Sequence, residues 1–119
     1  MPTPPAFDHL AVKVPNLDEQ VDRLVNHLGM AVQLRMEGFA VVIDPATGIK
    51  LELSASEDGD VHLRHFGFRA DDVDDSHEHL LAVGMETSQA PHRQDYAGMY
   101  TSFLTEPGTV EVQLVKYDA

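Results

Sequence analysis

Two histidines, His9 and His65, and three oxygen donors, Glu52, Glu111 and Gln113, carry the chemistry open to this sequence. Imidazole nitrogen combined with carboxylate or amide oxygen suits a divalent Zn, Ni, Co, Mn or Fe ion, whereas softer sites need thiolates. The chain contains no cysteine, which removes disulfides, thiolate zinc sites and a cysteine nucleophile together. One histidine in a strand is ordinarily an interior residue satisfied by a hydrogen bond. Two at equivalent places in a repeat, each matched by an acidic or amide residue late in its own segment, point to a metal site instead.

The elements that must position these groups are legible from periodicity. From Phe7 to Val14, residues Leu10, Val12 and Val14 alternate with His9, Ala11 and Lys13, the pattern of a half-buried strand, with His9 opposite the strongest apolar column. Asn16 followed by Glu19 reads as a capping box. Leu17, Val21, Leu24, Val25 and Leu28 then form a helical stripe that Gly29 ends, and this stripe is expected to cover Leu10, Val12 and Val14. Ala31 to Met36, Phe39 to Asp44 and Ile49 to Ser54 read as short strands, which completes a βαβββ unit with Glu52 facing away from the helix. The polar run Glu57 to Asp60 is the candidate linker.

From the histidine onward the second half repeats the first at an offset of 56 positions: His9 falls on His65, Ala11 on Gly67, Leu17 on Val73 and Leu24 on Leu80. A second helix is predicted to start near Asp72 or Asp74, to carry Val73, His77, Leu80 and Leu81 as its stripe, and to end near Gly84. Its strands are expected at Glu86 to Gln89, Met99 to Leu104 and Val110 to Lys116. Between the first two, Ala90 to Gly98 reads as a ligand-facing loop with His92, Arg93, Asp95 and Tyr96; Arg93, Tyr96 and, on the following strand, Tyr100 are the substrate-binding candidates. His27, His77, His79 and His62 read as surface or rim residues, and Asp71, Asp72, Asp74 and Asp75 as carboxylates gathered at a helix start.

Size and charge bound the rest. At 119 residues, with 20 acidic against 8 basic side chains and a net charge of −12, the chain reads as a single domain, 1–119, of two modules at about 6–56 and 61–117. It is a poor partner for nucleic acid or an anionic membrane surface. No apolar run reaches the length of a membrane span and the first residues lack signal-peptide features, so a cytoplasmic protein is expected.

In Phe7-Asp-His-Leu-Ala-Val12, Pro15-Asn-Leu-Asp18, Leu28-Gly-Met30, His65-Phe-Gly-Phe68, Asp72-Val-Asp74 and Glu106-Pro-Gly-Thr-Val-Glu-Val-Gln-Leu114 the chain resembles the vicinal oxygen chelate superfamily. That superfamily includes glyoxalase I, methylmalonyl-CoA epimerase, extradiol dioxygenases and bleomycin-binding proteins. The resemblance implies an α+β fold of two tandem βαβββ modules whose curled mixed sheet surrounds a cavity holding a divalent metal. It places metal ligands at His9, Glu52 and His65. The fourth falls on Gln113, where a Glu is common, or on Glu111; Gln113 is favoured as ligand, with Glu111 as its acidic neighbour and general base. An amide there departs from the 2-His-1-carboxylate set of an Fe(II) dioxygenase. The implied function is glyoxalase-like or epimerase-like lyase or isomerase chemistry on a small oxygen-rich substrate, through a metal-stabilised enolate. A non-catalytic drug- or metabolite-binding protein is the alternative, and a dioxygenase a further one. A homodimer is expected, because curled sheets of this size leave edges that benefit from pairing.

Overall fold

The computed structural model describes residues 3–119. Its elements run β1 (Ala6–Val14), α1 (Leu17–Leu28), β2 (Ala31–Met36), β3 (Phe39–Ile43), β4 (Lys50–Ala55), β5 (His62–Arg69), α2 (Val73–Ala82), β6 (Glu86–Gln94), a 3₁₀ turn at Asp95–Ala97, β7 (Met99–Thr105) and β8 (Glu111–Tyr117). The βαβββ unit occurs twice, as the repeat requires. The chain forms two compact units, Asp8–Arg64 and His65–Ala119, the second of which also takes in residues 3–7. Phe7 accounts for that assignment, since its ring meets Phe66 and Phe68 edge-on at centroid distances of 6.4 and 5.5 Å.

Within the first unit the strands lie in the order β2-β3-β4-β1. The two antiparallel pairs β2·β3 and β3·β4 follow from short turns, whereas β1 and β4 are parallel and need the long excursion through α1. That helix lays Leu17, Val21, Leu24 and Val25 against Val12, Val14, Val42 and Leu53, with Val21 and Val42 fully buried. Asn16 does not cap the helix as expected: it adopts φ 53, ψ 54 and its side chain makes no capping bond. In the left-handed conformation its side chain is not aimed at the first free amides, so Glu19 gains no capping box. Gly29, at φ 75, ends the helix as the sequence implies. Arg35 ties β2 to the exposed side of α1 through Asp18 and Asp22 at 3.2 and 3.3 Å.

The second unit repeats the plan in the order β5-β8-β7-β6, with β5 and β8 parallel. Here Asp72 caps the helix, its carboxylate accepting from the Asp75 amide at 3.0 Å. Val73, Leu80 and Leu81 pack on Leu104, Leu114, Phe68 and Tyr100. Two expectations are corrected. β6 runs on to Gln94, so most of the predicted loop at Ala90 to Gly98 is strand, made irregular by two register shifts. His77 is no surface residue: it is 2% exposed, and its ring joins α2 to β7 and β6 through Ser102 and Thr87, both at 2.8 Å. The helical stripe already contained it, and a neutral imidazole can face a core when both nitrogens find hydroxyl partners. Among the described residues no helix is long and apolar enough to cross a membrane.

Burial lowers the His77 pKa from its ordinary 6.5, against the pull of Glu78 and Asp74. Stability drawn from the neutral ring is therefore complete above pH 6.5 and declines as the pH falls below it, where the unfolded chain takes up the proton first. Thermal melts of the wild type and of His77→Asn between pH 5 and 8 should show a flatter acid limb in the variant. At neutral pH, His77→Ala should cost about 1–3 kcal/mol, because it orphans the buried Ser102 hydroxyl.

Candidate functional site

Sheet register decides which side chains can act together. In the first unit His9 lies opposite Lys50 and Ala11 opposite Glu52 in the parallel pair, so His9, Lys50 and Glu52 share one face. The intervening residues Val12, Val14 and Leu53 pack under α1 on the other. On the same face as Glu52 stand Val41, its cross-strand partner, then Leu34 opposite Val41, and Phe39 with Met36 opposite it. Glu52 thus stands between the polar His9, Lys50 and Ser54 and an apolar group on the neighbouring strands.

His9 is 1% exposed. Its Nδ1–H donates to Asp8 Oδ2 at 2.8 Å, and Lys50 Nζ lies 3.8 Å from the other Asp8 oxygen. A carboxylate can only accept, so this bond puts the proton on Nδ1 and presents a lone pair at Nε2. Nε2 lies 3.4 Å from Glu52 Oε2. Two lone-pair groups face each other favourably only when a proton or a cation lies between them. Burial pushes the Glu52 carboxyl above its ordinary range and Asp8 adds to the rise, while His9, Lys50 and Arg64 draw it down. The pair offers a borderline divalent cation one imidazole nitrogen and one carboxylate oxygen.

The second unit holds the equivalent face. His65 lies opposite Glu111 and Gly67 opposite Gln113, the same register as in the first unit. Gln113 is therefore the counterpart of Glu52, and Glu111 the counterpart of Lys50. His65 is 6% exposed, its ring edge-on to Phe103 at 5.4 Å. Gln113 is buried too, its Nε2 donating to Thr101 Oγ1 at 2.9 Å while Thr101 donates to the Leu114 carbonyl at 2.6 Å. That chain fixes the amide through its Nε2. Glu111 is half-buried and accepts a 2.6 Å bond from Ser88 Oγ.

The substrate-binding candidates fare differently. Arg93 spends its guanidinium on Asp118, at 3.0 and 2.8 Å, and on Asp95, at 2.9 Å. Tyr100 donates to Asp74 at 2.7 Å and lies beside α2, on the face opposite Gln113. Tyr96 is 89% exposed. His62 donates to Asp58 on the surface. Residues that sequence reasoning passed over include Asp8 and Lys50, which alternation treats as ordinary strand positions, and Ser54. Its buried hydroxyl is unpartnered among the described residues and lies on the Glu52 face, two positions along β4. Ser54→Ala should leave stability unchanged or raise it by about 1 kcal/mol in urea denaturation, since the substitution removes an unsatisfied polar atom.

Residues 6–114 match the family described as Glyoxalase/Bleomycin resistance protein/Dioxygenase superfamily. No curated protein matches the chain. Similar solved structures include methylmalonyl-CoA epimerase from Mycobacterium tuberculosis, 20% identical, with a TM-score of 0.80 over 96% of this chain and 89% of that one. A Streptomyces coelicolor methylmalonyl-CoA epimerase variant in complex with 2-nitronate-propionyl-CoA is 20% identical, with a TM-score of 0.74 over 96% and 98%. A methylmalonyl-CoA epimerase in complex with methylmalonyl-CoA and NH4+ is 19% identical, with a TM-score of 0.76 over 98% and 97%. At these identities the likeness is one of fold.

Proposed function

The chain belongs to the glyoxalase/bleomycin resistance protein/dioxygenase superfamily, and from that premise we propose that it is a metal-dependent isomerase or lyase of the epimerase-like or glyoxalase-like kind. Its substrate is small and oxygen-rich. The observation that carries the reading is the buried His9 Nε2 facing Glu52 Oε2 at 3.4 Å, a donor pair suited to a divalent cation. His9 and Glu52 of the first module and His65 and Gln113 of the second are the proposed ligands. When bound, the ion supplies Lewis-acid polarisation of a substrate carbonyl.

Glu111 is the proposed base. It shares its face with His65 and Gln113, and the Ser88 bond to Oε2 holds the carboxylate in one orientation. The carbon–hydrogen bond beside the carbonyl breaks, the proton passes to Glu111, and the electron pair moves into the carbonyl as an enolate. Protonation of the opposite face of that carbon by water, with Glu111 releasing its proton to solvent, gives epimerisation; return of the proton from Glu111 to the neighbouring carbon gives isomerisation. The Val41, Leu34, Phe39 and Met36 side chains beside Glu52 suit a substrate with an apolar arm.

Those same apolar side chains, with Leu34 47% and Met36 57% exposed, also favour a second reading, in which the protein sequesters an oxygen-rich compound without turnover. A homodimer is part of both readings, and sedimentation equilibrium gives its mass.

The test is exchange of α-hydrogen for deuterium in a panel of 2-oxo and 2-substituted carbonyl compounds, followed by NMR with the cobalt-loaded protein. Glu111→Gln should keep cobalt and lose exchange by about 10²–10⁴-fold, whereas His65→Ala should lose both. Ligand binding without exchange supports sequestration. A wild type that takes up no divalent ion, with a His65→Ala form that binds the same compound equally well, sinks the metal-dependent reading.

A further inference from the structure

We infer that Asp8 is a positioning residue: it fixes the tautomer and the aim of His9, with Lys50 anchoring it from the neighbouring strand. The inference rests on the reading of His9 as a metal ligand and adds a residue which that reading does not contain. Asp8 is 3% exposed, and its two oxygens have different partners. Oδ2 accepts the His9 Nδ1–H at 2.8 Å and Oδ1 lies 3.8 Å from Lys50 Nζ. Lys50 is also the residue opposite His9 in the β1·β4 register, so the base of its side chain is placed by the sheet itself.

Two consequences follow from chemistry alone. The buried carboxylate can only accept, so the ring carries its proton on Nδ1 and keeps the Nε2 lone pair for an ion. Rotation of the ring by half a turn would set a carbon against Asp8 and break a buried charge-assisted bond, so Nε2 keeps its direction towards Glu52. A carboxylate behind an imidazole is also the usual outer partner that fixes a metal-bound histidine. At the equivalent position of the second module, before His65, stands Arg64, which is exposed and not a carboxylate. Loss of Asp8 should affect His9 while leaving His65 as it is.

The experiment joins two measurements on the full chain. Long-range ¹H–¹⁵N spectra of the metal-free protein report the tautomer of each histidine, and calorimetry with Co²⁺ alone reports affinity. In the wild type His9 should show the Nδ1–H form. Asp8→Leu should yield a mixture of tautomers at His9, an unchanged His65 signal, and a loss of cobalt affinity of about 10–100-fold. Asp8→Asn, which keeps an acceptor of the same shape, should restore the tautomer and most of the affinity, and it serves if the leucine variant does not fold. An Nε2–H tautomer in the wild type, or cobalt affinity in Asp8→Leu within about twofold of wild type where loss on the scale of an orienting partner is expected, overturns the inference. A wild type that shows the Nδ1–H form yet takes up no cobalt supports the orienting role and overturns the metal-ligand reading instead.

Discussion

The parallel pairing of the first and last strand of each module is the constraint on which everything else depends. Parallel neighbours cannot be joined by a tight turn, so each module must carry a helix between them. That helix in turn requires an apolar face on the sheet beneath it. Once Val12, Val14 and Leu53 are committed to that face in the first unit, and Phe68, Leu104 and Leu114 in the second, the intervening residues have no choice of side. His9 and Glu52, or His65 and Gln113, arrive on one face because the register that buries the helix leaves them there. A slip of one residue would exchange core for site along the whole strand.

Much of this was legible in the sequence because strand alternation and helical stripes record burial directly. The two βαβββ units, the face of His9 and the helix end at Gly29 all follow from local pattern. What pattern could not supply were contacts between distant residues. His77 lay on the helical stripe, yet its burial depends on hydroxyls at Ser102 and Thr87, 25 and 10 positions away. The extension of β6 depends on bulges, which break the alternation that marks a strand. Asn16 and Glu19 had the composition of a capping box, but the left-handed backbone at Asn16 overrode it. The relation of Gln113 to Glu52 needed the register itself, since the two lie 61 positions apart rather than 56.

The modules have kept one geometry and diverged in electrostatics. The first buries a carboxylate and a histidine beside a lysine, with Glu52 facing the ring. The second holds Gln113 through Thr101 and the Leu114 carbonyl, and keeps its carboxylate, Glu111, at the half-exposed position. Buried charge is costly unless paired, and the first module meets that cost with a connected set of partners. The second avoids it by using an amide.

The amide has a consequence for charge. On the proposed ligand set, two neutral imidazoles, one carboxylate and one amide bring a single negative charge to a divalent ion and leave the assembly with a net positive charge of one. A second carboxylate at Gln113 would cancel it. On that proposal the residual charge would favour the negative charge that a substrate oxygen acquires as the proton leaves, and the neutral side chain in β8 would act by what it withholds.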